Sequence, residues 1–341
     1  MHTTLKTLTG AALSAVIVLA VPAAMAQGKG ETVKFQDYPG LGNTMIRVAI
    51  AKGFCTKHGI NCQLQTIPTS PLGVQAMMAK SIDSALAPVD AVNAAVLRGS
   101  KMKMVGGGQV NSIMLLAFGN HVESPNAARG WPHFMQDLKG KKVGIPARGS
   151  AIEIIASWMM EQAGMDPTKD VTFVAVGGVP TAYGALQSKQ IDAVLSYDPL
   201  GTICDLAKTC KVAWRADSAP EPAAIRATNG GVVNQVFMQE YIDKNPQVIE
   251  AVIATLKEAD AFVNDPANFD ETLAITKTHF KLEMPQGDAI LAANLKHYIA
   301  TKNFRAGIDR KAVQASLDLS LATKAIDKVA SVSDIVLDRA P

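Results

Sequence analysis

DLKGKKVGIPARGSAIE, residues 137 to 153, is the stretch whose reading decides the fold. After the turn at Gly140, Lys142-Val143-Gly144-Ile145 reads as a short buried strand that Pro146 ends, and Ser150 stands where an N-cap belongs for a helix over 151–163. A helix opening just past the carboxyl end of a strand presents unpaired amide N–H groups and about half a positive charge, so it receives anions well. Taken alone, a strand-turn-helix of this kind is more simply read as a cap at Ser150 and a turn at Gly149.

Working outward, two other stretches echo one another. QAMMAKSIDSALAPVD (75–90) and GALQSKQIDAVLSYDPL (184–200) share a helix end, a polar turn with Lys, an Ile-Asp pair, a small apolar strand and a polar loop. Ile82-Asp83 leads into Ser84 to Ala87, and Ile191-Asp192 leads into Ala193 to Ser196. Two lobes of one design produce this pattern, and so does chance in an Ala-rich chain; no repeat of solenoid period is visible.

The segments DLKGKKVGIPARGSAIEII, EQAGMDPTKDVTFVAV and ALQSKQIDAVLSYDP resemble the central lobe of periplasmic solute-binding proteins, in particular the nitrate, alkanesulfonate and taurine group that serves ABC importers. Upstream, AIAKGFCTKHGINCQLQTIP resembles that group's first helix and second strand, and the likeness runs from about Val33 to Asn264. It implies an α/β fold of two lobes, the type II periplasmic-binding-protein fold, with a mainly parallel sheet in each lobe and the solute in the cleft between them. Residues 27–112 with 231–341 would form lobe I and residues 113–230 lobe II. The implied partners are a small solute and an ABC permease in the inner membrane, with no cofactor and a monomeric chain.

The chain as a whole agrees. A length of 341 residues accommodates two ordinary domains, and 48% hydrophobic with 18% charged residues is globular composition. A net charge of +3, with no basic run beyond Lys139-Gly140-Lys141-Lys142, argues against a nucleic-acid partner. Met1 to Ala26 has a basic start at Lys6, an apolar stretch from Ala11 to Val21 and Ala24-Met25-Ala26 before Gln27, which reads as a secretory signal peptide. Position 27 is not Cys, so a lipid anchor is not expected, and the mature protein is expected in the periplasm.

The four cysteines fall as two local pairs, Cys55 with Cys62 and Cys204 with Cys210, in a chain addressed to an oxidising compartment. Three connectivities exist; local pairing is expected because each pair spans a helix-to-strand turn. A metal site fits less well, since no CxxC spacing occurs and no His lies beside the second pair.

Along the chain, strands are predicted at 32–36, 62–67, 84–87 and 103–106, with helices from Asn43 through Ala51, from a cap at Ser70 through Lys80, and over 89–97. Ile113 to Phe118 reads as a crossing to the second lobe and Val232 to Met238 as the return. Between them strands near Lys142, Val171, Ala193 and Lys211 alternate with helices. After Pro246 the chain reads as helical, over 248–263, 272–279 and 286–299, with shorter pieces following.

Gly106-Gly107-Gly108, Gly177-Gly178 and Gly230-Gly231 lack the register of a P-loop or of G-x-G-x-x-G and fit turns and hinges. No H-E-x-x-H or G-x-S-x-G occurs. Two classes of function remain: a binding protein closing two lobes on a solute, and a biosynthetic enzyme on the same fold. The export signal favours the first. The solute is expected to be a small organic anion, sulfonate or carboxylate, with a neutral or pyrimidine-type solute as the alternative.

Ligands in open α/β sheets sit outside the carboxyl ends of strands. That rule places Tyr38, Asn43, Thr69, Ser70 and Asp90 in the first lobe's wall of the cleft, and Arg148, Gly149, Ser150, Thr181, Tyr197 and Asp198 in the second's. The anionic group is expected at the helix opening at Ser150, with Arg148 as its charge partner.

Overall fold

A computed structural model describes residues 28–341. The expected signal peptide lies outside the described residues. In chain order the first elements are β1 (Glu31–Asp37), α1 (Thr44–Ala51), α2 (Phe54–Lys57), β2 (Ile60–Thr66), α3 (Ser70–Met78), β3 (Ser84–Pro88), α4 (Val89–Leu97) and β4 (Met102–Gly107). There follow β5 (Met114–Gly119), β6 (Lys141–Ile145), α5 (Ala151–Gln162), β7 (Val171–Ala175), α6 (Val179–Gln187), β8 (Ala193–Tyr197), α7 (Leu200–Ala207), β9 (Cys210–Arg215) and α8 (Ala223–Arg226). The chain ends with β10 (Val233–Met238), α9 (Gln239–Lys244), α10 (Pro246–Val263), α11 (Phe269–His279), α12 (Gly287–Ala300), α13 (Arg310–Ala322) and α14 (Val332–Ile335).

The strands form two five-stranded sheets, ordered β2-β1-β3-β10-β4 and β7-β6-β8-β5-β9. The orders match position by position. β3 and β8, the two echoed segments, both take the middle place. The echo has a physical cause: Asp83 accepts the amide of Lys34 at 2.8 Å and Asp192 that of Lys142 at 2.8 Å, so each Asp clamps its strand to the next one in the sheet. Lys80 and Lys189 both sit at φ 60, ending the preceding helix in the left-handed conformation.

Each sheet is parallel except for the strand that has crossed over. β10 runs antiparallel to β3 and β4, and β5 antiparallel to β8 and β9. β5 is buried along its whole length. Its Leu116 and Phe118 enter the core under α5, while Leu115 and Ala117 enter the core under α6 and α7, as period-two geometry requires of a strand covered on both faces. In lobe I, α10 supplies Val248, Ile249, Val252 and Leu256 to a core shared with Val33, Phe35 and Val48.

Several local expectations shift. Thr69, not Ser70, is the N-cap of α3, accepting the Leu72 amide at 3.4 Å, and Ser70 is the first helical residue. Asn43 precedes α1 without capping it. The glycine run 106–108 serves close packing: a Cβ on Gly107 would overlap the Arg305 carbonyl, and one on Gly106 would meet Leu256. Both disulfides form as expected, Cys55 with Cys62 and Cys204 with Cys210, leaving no free cysteine.

Candidate solute-binding cleft

A cavity of about 600 Å³ lies between the lobes. Lobe I supplies the β1–α1 loop (Tyr38 to Gly42), Pro68 and Ser70 at the start of α3, and Leu86 and Pro88 from β3. Lobe II supplies Gly178, Val179 and Pro180 at the start of α6, with Tyr197 and Asp198 at the end of β8. A third wall, residues 280–284 with Asn294 and Tyr298, comes from α12 and the loop before it.

The β1–α1 loop is held by a residue absent from the sequence-level candidates. Arg47 is almost fully buried and donates to Asp37 at 2.9 Å, to the Gly40 carbonyl at 2.6 Å and to the Tyr38 carbonyl at 2.9 Å. Its signal was a lone cation in the apolar run TMIRVAIA, and a buried cation of this kind must be paired. Beside it Gln36 donates to the carbonyls of Ile67 and Thr69, each at 3.0 Å, and accepts the Leu86 amide at 3.1 Å. Asn43 donates to the Gln36 carbonyl and accepts from Gln235 at 3.2 Å, while Ser84 donates to Gln235 at 2.9 Å. This buried network ties β1, β3, β10 and the loop before α3 together, so the cleft wall of lobe I is preorganised. A Cβ on Gly73 would overlap the Gln36 carboxamide, which explains a glycine inside α3.

Two helix starts, one per lobe, open onto the cavity: α3 at Ser70 and α6 at Val179, whose N-cap Gly178 has no side chain to satisfy the first amides. Tyr197 lies near Tyr38; burial first, and then the neighbouring Tyr38, push the Tyr197 phenol pKa up, so Tyr197 remains a hydrogen-bond donor at neutral pH. Among the described residues, Lys281 is the one basic side chain lining this cavity, with Glu283 on the same loop.

Below this wall a charged cluster joins α12 to lobe II. Arg215 donates to both Asp198 oxygens at 3.0 and 3.2 Å and to Asp205 at 2.6 Å, and a glycine at 201 makes room for its guanidinium. His297 Nε2 lies 2.6 Å from Asp217 and 3.9 Å from Asp198. Thr202 donates to Asn294 at 3.3 Å. The hydrogen bond to Asp217 raises the His297 pKa, and burial raises that of Asp198. Asp198, Asp217 and His297 also stand close enough to share a cation, but Arg215 already supplies the positive charge there.

A second cavity, about 500 Å³, opens on the other face of the cleft between α4, α5 and α13. It receives Asp90 and Gly149, with Ile154, Ile155 and Leu319 among its apolar walls. Although Asp90 keeps solvent contact, the surrounding walls raise its carboxyl pKa against the pull of its own and the Ala91 amides.

The structure thus brings Tyr38, Ser70, Tyr197 and Asp198 to the first cavity and Asp90 and Gly149 to the second. Asn43 and Thr69 stand behind the wall, and Thr181 donates to the Gly178 carbonyl at 2.8 Å. Arg148 and Ser150 line neither cavity. Ser150 does cap α5, but the anion at that helix start is the chain's own Glu153, which accepts the Gly149 amide at 2.5 Å and pairs with Arg148 at 3.1 Å. Arg148 also lies over the Phe173 ring. Sequence reasoning missed Gln36, Arg47, Lys281, Asn294 and His297; the last three come from the helical C-terminal part, whose side chains carry no motif.

Two matched sheets facing one another across a walled cleft define the two-lobed periplasmic-binding-protein fold. The chain belongs to the NMT1-like family, matching it over residues 29–277. A Brucella abortus protein, named provisionally as a binding protein, is 28% identical over 264 residues, covering 74% of this chain and 75% of its own. Among solved structures, the periplasmic aliphatic sulphonate binding protein SsuA of Escherichia coli is similar with a TM-score of 0.68 at 18% identity, covering 91% of this chain and 92% of its own. The alkanesulfonate-binding protein SsuA of Xanthomonas axonopodis pv. citri, bound to MOPS, gives 0.63 at 16% identity over 90% and 98%. A Candida albicans protein described as having the generic periplasmic binding protein fold gives 0.59 at 12% identity over 88% and 92%.

Proposed function

We propose that this protein captures a small organic anion of the sulfonate or carboxylate class in the 600 Å³ cavity and delivers it, unchanged, to an ABC permease of the inner membrane. In this reading lobe I comprises 27–112 and 231–341, lobe II comprises 113–230, and the protein works as a periplasmic monomer. The observation that carries it is the convergence of the α3 and α6 starts, from opposite lobes, on one cavity that also holds Lys281. Each helix start favours negative charge, so an anion between them draws the lobes together. Tyr38 and Tyr197 offer hydroxyl donors, and Leu41, Ile113 and Leu282 receive an apolar body. The sulfonate-binding relatives support the anion class.

The test is calorimetry with alkanesulfonates, taurine, small carboxylates, nitrate and neutral pyrimidines, followed by mass analysis of the recovered ligand. An anion is expected to bind and return unchanged. Lys281→Gln is expected to weaken it by about 1 kcal/mol, roughly fivefold in Kd, as suits an exposed cation. Arg148→Ala is expected to leave affinity unaltered, because its charge is spent on Glu153. A preferred neutral ligand insensitive to Lys281 would replace the anion reading with the pyrimidine-type one, and turnover would replace binding with catalysis.

A further inference from the structure

Where the two crossing segments meet the end of α12, a cavity of about 440 Å³ shares no lining residue with the two cleft cavities. Asn111 and Asn229 come to it from the crossings, Asp217 and Arg226 from the segment between β9 and β10, and Lys302 and Arg305 from the chain after α12. The crossings are bonded to one another, with Gly230 and Val232 both donating to the Val110 carbonyl at 3.0 Å and Ser112 donating to Asn229 at 3.0 Å.

Most side-chain amide capacity in this wall is already assigned, and what is left over is one buried oxygen of Asp217 and three cations. Asn111 donates to the Thr301 carbonyl at 2.7 Å and Asn229 to the Ala216 carbonyl at 2.9 Å, so both amides are spent on framing the cavity. Asp217 is buried, with one oxygen 2.6 Å from His297 Nε2 and its second oxygen buried without a partner. Arg226 spends one N–H group on the Asp217 carbonyl at 2.7 Å, and among the described residues its other guanidinium donors make no hydrogen bond. Among the described residues, Arg226, Lys302 and Arg305 form no ion pair with a carboxylate, although many other cations of this chain do. Their backbone posts are fixed: Lys302 donates to the Ile299 carbonyl at 3.0 Å, and the chain at Arg305 is pressed onto Gly107 of β4. Three exposed cations without carboxylate partners thus line one polar concavity, and an anion seated there accepts their free N–H groups.

We propose that this cavity is an oxyanion site, separate from the solute cleft, for a doubly charged tetrahedral anion such as phosphate or sulfate. Arg226 stands on the lobe II side and Lys302 and Arg305 on the lobe I side of the crossings, so a shared anion braces the angle between the lobes.

The experiment is thermal melting and calorimetry of the folded chain with inorganic phosphate and sulfate, at constant ionic strength balanced with chloride. A rise in Tm of several degrees with either oxyanion is expected, and at least tenfold weaker phosphate binding in the double variant Arg226→Gln/Arg305→Gln. Lys302→Gln, with an exposed side chain, gives an independent reading and is expected to weaken phosphate similarly. Lys281→Gln in the solute cleft is expected to retain the full response. An equal rise with chloride, an unchanged response in both hinge variants, or loss of the response in Lys281→Gln would each overturn the site. The first two leave the solute reading untouched, and the third assigns the anion to the cleft.

Discussion

Replacing His297 by Leu tests whether α12 is latched to lobe II by charge. In the folded protein His297 Nε2 is 2.6 Å from Asp217, whose other oxygen is already buried without a partner, and 3.9 Å from Asp198. Removing the imidazole leaves Asp217 with no side-chain partner, close to Asp198. Hydrogen bonds to charged groups contribute about 1.5–3 kcal/mol, and stranding one partner of a buried pair costs about 3–5 kcal/mol. His297 keeps 24% of its side chain exposed, which sets the expected loss at the lower end, about 2–3 kcal/mol, or roughly 3–5 °C in Tm for a chain of this length. The pH dependence has a definite sign. The Asp217 hydrogen bond raises the folded pKa above the ordinary value of 6.5, so the ionic stabilisation is complete below about 6.5 and disappears as pH rises through the folded pKa. Above that point a neutral imidazole still donates Nε2–H, leaving about 1 kcal/mol. Urea denaturation of wild type and variant at about pH 5.5 and about pH 9 measures the gap, and groups common to both proteins largely cancel in it. A gap that is constant or grows with pH would refute the latch. Asp217→Asn with His297 intact is expected to flatten the same pH profile.

Three further outcomes are expected. Arg47→Met strands the buried Asp37 and frees the Tyr38 and Gly40 carbonyls, so denaturation should show a loss of about 3–5 kcal/mol together with weaker solute binding; a change below about 0.5 kcal/mol would contradict the role given to Arg47. Gly73→Ala drives a methyl into the Gln36 carboxamide, and about 1–3 kcal/mol should be lost by the same measure, whereas a neutral effect would mean that the network yields. Peptide mapping without reductant should return the Cys55–Cys62 and Cys204–Cys210 links, and replacing the second pair by Ser should cost about 2 kcal/mol for so short a loop. Free thiols or a cross-lobe link in that map would contradict the pairing.

What the sequence determined by itself is local and periodic. Strand and helix order, the caps and breakers around 140–150, and the Ile-Asp echo follow from neighbours in the chain, and the echo carries its own hydrogen bond from Asp83 and Asp192 to the adjacent strands. The two cysteine pairs were legible for the same reason, since each closes a turn. Tyr38, Ser70, Tyr197 and Asp198 were legible because strand ends face the cleft in this architecture. Tertiary structure decided which charge goes where. Arg148 and the α5 start form a plausible anion site in the sequence, but Glu153, one helical turn into α5, folds back and takes both the amide and the guanidinium. Arg47 and Gln36 look like ordinary helix and strand residues until burial compels them to find partners in loops far along the chain. Lys281 and Asn294 reach the cleft, and His297 the charged cluster below it, only because α12 packs against α7, a contact between residues about ninety apart that no local pattern encodes.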